Sequence, residues 1–190
     1  MSFLENVFAS RIAKRTAATN GGKVSGFTLV ELLVVIAIIS VLATLLLLQL
    51  GIARGKARDA KRIADINQVR SAIEQYFDQN GNYLPTNTMT ALSPIYLTNI
   101  PRDPLASGCV DIYTGAVGGG AQCYGYAWNA TLAAPTQNHI WAELEQNNRN
   151  ALNSDADLTS IGWAGGATVN GATEACTAAA SDCVFDLGQR

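Results

Sequence analysis

The sequence predicts an α+β protein in which one long N-terminal helix carries a small antiparallel sheet. Three observations lead there. A basic leader is followed by an apolar run, Leu32–Leu48. From that run a proline-free stretch continues to Asn80-Gly81, with apolar residues at helical spacing. Beyond Gly81 the texture changes to short alternating segments broken by turns, so helix comes first and strands later, the order of an α+β chain.

The 190 residues allow one ordinary domain with appendages. Residues 1–26 carry Arg11, Lys14, Arg15 and Lys23 against Glu5, a net of +3. Residues 80–190 carry three cations against nine acids, a net of −6. A basic N-terminus ahead of an apolar span predicts that the N-terminus stays inside and the remainder lies outside. The acidic remainder gives no support for a nucleic-acid-binding head.

Phe27–Leu48 as a helix would run about 33 Å, enough to cross a bilayer. Glu31 stands near its start. At the centre of a membrane helix an acid costs about 2.5–3.5 kcal/mol on the lenient insertion scale, so a purpose is the default expectation. A secretory signal peptide would be cut after the apolar run. This run is too long for that, and its one passable small-residue site, Val41-Leu42-Ala43, lies inside the span. A plain single-pass anchor explains the hydrophobicity but not the acid. An acid snorkelling to the interface is the bland reading of Glu31.

The helix is expected to continue beyond the membrane, over Phe27–Gln79 and about 80 Å. Ile63, Ile66, Val69, Ile73, Tyr76 and Phe77 form a stripe one face wide. Residues 27–50 therefore read as a membrane or filament-core helix, and residues 51–80 as its amphipathic continuation. Residues 81–190 form the head that covers the stripe, and Asn80-Gly81 is the stop signal. Gly51 and Gly55 each weaken the helix by about 1 kcal/mol relative to alanine and mark a place for it to bend or melt. Arg54, Lys56, Arg58, Lys61 and Arg62 cluster beyond the span with only Asp59 opposing. DNA phosphates are the sharper reading of that cluster. Lipid headgroups or acids on adjacent helices are the simpler one, and no nucleic acid is expected as a partner.

In the head, Tyr124–Trp128, Ile140–Glu145 and Cys183–Leu187 alternate as strands do. Cys109, Cys123, Cys176 and Cys183 form an even set, which in an exported head reads as two bridges. Of the three possible connectivities the local one, 109–123 with 176–183, needs no assumption about the fold; four buried thiols are the competing reading. His139 is the single histidine. No Gly-x-Ser-x-Gly elbow, phosphate-binding glycine loop or HExxH occurs, so no catalytic residue is assigned. Tyr124, Tyr126, Trp128 and Trp141 offer a sugar-stacking surface on paper, but strand aromatics are usually core. Gly118-Gly119-Gly120 reads as a loop tip, and Asn129-Ala130-Thr131 fits the glycosylation pattern.

Gly26-Phe27-Thr28-Leu29-Val30-Glu31 and the run after it resemble a type IV prepilin. The resemblance implies cleavage between Gly26 and Phe27 by a membrane-embedded prepilin peptidase, which also N-methylates Phe27. Residues 1–26 would be the removed leader. The new terminal amine of one subunit would meet Glu31 of its neighbour and set their axial register. Partners follow: the peptidase, identical and related subunits, membrane lipid, and an inner-membrane platform with its motor ATPase. The subunit would wait in the inner membrane as a single pass and end in a pilus at the cell surface, or in the periplasm. Asn80-Gly81-Asn82-Tyr83, Tyr96-Leu97 and Pro101-Arg102-Asp103-Pro104 are similar to the head of the major pseudopilin of type II secretion, and equally to pilins built on that plan. The expected fold is thus type IV pilin-like. A structural filament subunit is the reading, with a secretion pseudopilin and a membrane-tethered binding module as alternatives. Pseudopilins of this kind hold calcium in a late acidic loop, where this chain has Asp155 and Asp157. A solvated polar turn is the preferred reading of that stretch, since its spacing is not that of an EF-hand.

Overall fold

The computed structural model describes residues 26–106, 108–109, 111–115, 123–129, 134–166, 169–172, 176–177, 180–181 and 183–189, with the backbone alone at 176–177 and 180–181. Helix α1 is Leu29–Asn80. The chain divides into two compact units, residues 1–45 and 46–190. In the first, every described residue is solvent-exposed. A helix apolar on all sides and buried nowhere is made for lipid or for other helices, and this one is long and apolar enough to cross a membrane.

In the second unit α1 becomes one wall of a core. Ile66, Val69, Ala72 and Ile73 are fully buried, and Ile63, Tyr76 and Phe77 pack at the margin. The helix ends at Asn80 because Gly81 turns left-handed, at φ 70°, and donates its N–H to Phe77 O at 2.7 Å. Only a residue without Cβ takes that conformation freely, which makes glycine the usual stop.

A short 3-10 helix, Met89–Leu92, places Met89 and Leu92 in the same core. The strands are β1 (Gly125–Trp128), β2 (Asn138–Glu143), β3 (Ala164–Gly165), β4 (Cys176–Thr177), β5 (Ala180–Ser181) and β6 (Val184–Gln189), with a one-turn helix α2 (Arg149–Leu152) after β2. The main sheet runs β3-β1-β2-β6, all antiparallel, and β4-β5 form a separate pair. This is the α+β architecture the sequence predicts. The three longer strands lie within a few residues of the expected segments.

Strand alternation sorts the sheet into two faces. Tyr126, Ile140, Ala142, Phe185 and Leu187 join the helix core. Ala127, Trp141 and Val184 face the other way, with Val169 and Trp163 upon them. On that second face lies His139, wholly buried, its Nε2 2.8 Å from Asp186 Oδ2. The same oxygen accepts Leu158 N–H at 2.8 Å, so the pair pins the late loop to the sheet. Tyr124, Tyr126 and Trp141 are buried too, which makes them core rather than a sugar platform.

The Cys109–Cys123 bridge is present, with Cα atoms 5.7 Å apart. Closing a loop of this length stabilises a fold by about 3 kcal/mol on the chain-entropy account. Cys183 is disulfide-bonded as well; the side chain of Cys176 lies outside the described residues. So do the leader before Gly26, the Gly118–Gly120 tip, and Ala130 and Thr131 of the glycosylation pattern.

Candidate processing and assembly site

Gly26 and Phe27 precede the helix, and Phe27 is 92% exposed. Thr28 is the residue before α1, and its Oγ1 accepts Glu31 N–H at 3.2 Å. Glu31 answers: its Oε2 accepts both the N–H and the hydroxyl of Thr28, each at 2.8 Å. This reciprocal pairing is a capping box, which satisfies donors that the first helical turn leaves open. Reading Glu31 only as a charge in an apolar span misses it, although Thr28-x-x-Glu31 was there to be seen. The cap occupies Oε2; Oε1 makes no hydrogen bond among the described residues. One carboxylate can therefore hold its own helix end and still present an oxygen to an incoming cation.

A second charged constellation lies at the base of the head. Arg62 is fully buried. Its Nε donates to Asp103 Oδ2 at 2.5 Å and its Nη2 to Asp103 Oδ1 at 3.1 Å, the two-pronged geometry that suits guanidinium and carboxylate. Its Nη1 donates to Asp59 Oδ1 at 2.8 Å and to Glu145 Oε1 at 2.6 Å. Asp59 in turn accepts the N–H groups of Glu145 and Gln146 at 2.9 and 3.0 Å. Arg58 closes the ring with two bonds to Glu145, one of them at 2.7 Å. One helical turn thus grips both the Pro101–Pro104 turn and the segment after β2.

This corrects the sequence reading of the basic cluster. Arg58 and Arg62 are matched by acids of the chain's own head, which are distant in sequence. Burial lowers the proton affinity of Arg62, but its hydrogen bonds to Asp103 and Glu145 overcome this and leave its pKa raised. Hydrogen bonds from Arg58 hold Glu145 down to about 2, against partial burial and with help from Arg62. A depressed carboxylate contributes stability that is present above its unfolded value of 4.5 and lost as pH falls through about 2. The head is expected to lose part of its stability over that acid window, and Glu145→Gln is expected to flatten it. Unfolding midpoints measured against pH test this, with a modest amplitude because Glu145 is open to solvent.

Gly55 also reads differently in the structure. A Cβ there would meet Gln146 Nε2 at 2.6 Å, so the glycine lets the loop approach the helix. Gln146 Nε2 donates to Ile52 O at 3.1 Å across that gap. Gly55→Ala gains about 1 kcal/mol of helix propensity and forfeits a hydrogen bond worth about the same. Its thermal midpoint is expected to stay near that of the parent; a large loss would mean the loop cannot yield.

Asp155 Oδ2 accepts Asp186 N–H at 3.2 Å, and Asp157 takes φ 48°, a turn conformation that aspartate tolerates. Among the described residues no group of three or more His, Cys, Asp or Glu side chains lies together.

The comparisons with known proteins bear on the helix end first. The family model described as the prokaryotic N-terminal methylation motif matches residues 22–47. The core protein G of the type II secretion system of Escherichia coli is 32% identical over 111 residues, which are 50% of this chain and 77% of that protein. The chain belongs to the type IV pilin and pseudopilin family. Within the family, the type IV wide pilus major component PilA4 of Thermus thermophilus is 41% identical over 78 residues, 41% of this chain. The chain spans 58% of that relative's length. The core protein G of Pectobacterium carotovorum is 32% identical over 100 residues, 45% of this chain and 64% of that protein. No solved structure matches.

Proposed function

We propose that this pilin-family chain is the precursor of a structural filament subunit, with no catalytic role. Residues 1–26 are removed between Gly26 and Phe27 by a prepilin peptidase, and Phe27 is N-methylated. The mature subunit holds residues 27–50 in the membrane, with residues 51–80 continuing the helix and the head, residues 81–190, outside. Assembly moves the apolar helices from lipid into a shared bundle, driven by a motor acting through a membrane platform. The observation that carries this reading is Glu31. It is an acid with one oxygen uncommitted, one helical turn from the scissile bond, on a helical segment that is apolar and exposed on every side. A cationic terminal amine is the natural partner for it in an apolar bundle.

A pseudopilin of a secretion system is the second reading, favoured because 77% of a core protein G is covered by the match. Shearing cells and measuring the N-terminal peptide by mass spectrometry separates the two. Methylated Phe27 in sheared filaments is the expected result. Methylated Phe27 confined to membranes would favour the pseudopilin, and an intact Met1 would leave a tethered extracellular module.

A further inference from the structure

At the base of the head, between α1 and the segment after β2, lies a cleft of about 520 Å³. Lys56 and Arg149 line it, together with Gln146, Asn147, Asn148 and Asn150. Both cations are exposed and neither makes an ion pair among the described residues. The side chains of Asn147, Asn148 and Asn150 make no hydrogen bond there either. Asp59 is the one carboxylate in the lining. It is 2% exposed and already accepts bonds from Arg62 and from the Glu145 and Gln146 N–H groups. What faces the opening is therefore two uncompensated cations and a set of free amide donors, the chemistry of an anion site.

Its place on the helix says which anion. In the same unit, Leu46, Leu47, Leu48, Leu50 and Ile52 are exposed apolar side chains at the foot of the head. Lys56 follows Leu50 by about 9 Å along the helix axis. Half the difference between a bilayer and its hydrocarbon core is about 5–8 Å, so with Leu50 at the edge of the hydrocarbon the cleft sits at the outer limit of the headgroup layer, within reach of the long Lys56 side chain. The head carries a net of −6, which an anionic membrane repels, and the cleft is where that sign reverses. We infer that this cleft binds the phosphate of an anionic phospholipid and seats the head on the membrane before assembly. The inference rests on residues 27–50 being membrane-embedded.

The test uses the full-length chain in nanodiscs of phosphatidylcholine, with and without phosphatidylglycerol. Native mass spectrometry of the released protein counts retained lipid, and hydrogen exchange reads residues 146–152. The parent is expected to retain phosphatidylglycerol preferentially and to be protected at 146–152 only when it is present. Lys56→Gln/Arg149→Gln is expected to lose that preference by roughly ten- to thirty-fold, on the basis of the usual net worth of each hydrogen bond to the bound phosphate. Arg54→Gln, an exposed neighbour outside the cleft, is expected to keep it. Equal loss in Arg54→Gln would make the attraction diffuse and overturn the site. An unchanged preference in the double variant would do the same. Inorganic phosphate that protects 146–152 equally well and displaces the lipid would overturn the lipid assignment. Protection by added subunit in phosphatidylcholine alone would point to a neighbouring chain instead. Failure to enter nanodiscs at all would count against the membrane reading, and is distinguishable from entry without lipid preference.

Discussion

Glu31→Gln is expected to yield a subunit that is cleaved and methylated normally yet forms no filaments. The substitution separates two roles that the carboxylate combines. The glutamine oxygen can still accept the Thr28 N–H and hydroxyl, so the helix start stays capped. The charge is gone, and a neighbour's terminal ammonium would enter the bundle unmatched. Breaking a buried pair in this way costs about 3–5 kcal/mol, a factor of a hundred to several thousand in each subunit contact. Repetition along a filament leaves nothing assembled. Thr28→Ala does the reverse, removing the cap at a cost of about 1 kcal/mol while keeping the charge, and is expected to thin the filaments without abolishing them. Filament yield and the mass of the N-terminal peptide read both variants. If Glu31→Gln assembles while Thr28→Ala does not, the acid serves the helix end and the charge-register account fails.

How far the sequence was legible follows from the range of the forces involved. The Ile63–Phe77 stripe and the Asn80-Gly81 stop are local signals, and they set the helix face and its end correctly. Strand alternation located the sheet but not its order, because pairing between β2 and β6 joins residues far apart in the chain. The basic cluster was misjudged for the same reason. Nothing near Arg62 in sequence announces Asp103 or Glu145, so counting neighbours left it with Asp59 alone. A proline-flanked acid in a turn, Pro101-Arg102-Asp103-Pro104, was the available hint that a rigid loop presents a carboxylate. Gly55 shows a different limit. Propensity sees a weak point in a helix, whereas the close approach of the Gln146 side chain to Gly55 exists only after folding.

Arg62→Met is expected to be strongly destabilising to the seam between α1 and the head. Methionine fills much of the space and suits the apolar surroundings, so the loss is electrostatic rather than a cavity. Asp59 and Asp103 are 2% and 6% exposed, and both lose their cation. An uncompensated buried charge of this kind costs about 3–5 kcal/mol, a large part of the 5–15 kcal/mol that holds an ordinary domain folded. Asp103 keeps a bond from Leu105 N–H and Asp59 keeps two backbone donors, so the acids are not stripped bare. Arg58→Met is the control. Its pair with Glu145 is open to water, and little change is expected. Arg62→Met/Asp103→Asn should recover part of the loss, since one of the stranded charges is removed while its acceptor for Leu105 survives. Denaturant unfolding of the full chain in detergent gives the ranking, and hydrogen exchange at Glu145 and Gln146 locates it. A parent-like Arg62→Met would mean that packing alone binds the head to α1. The expected ranking would mean instead that the last turns before the Ile63 stripe are held by charge.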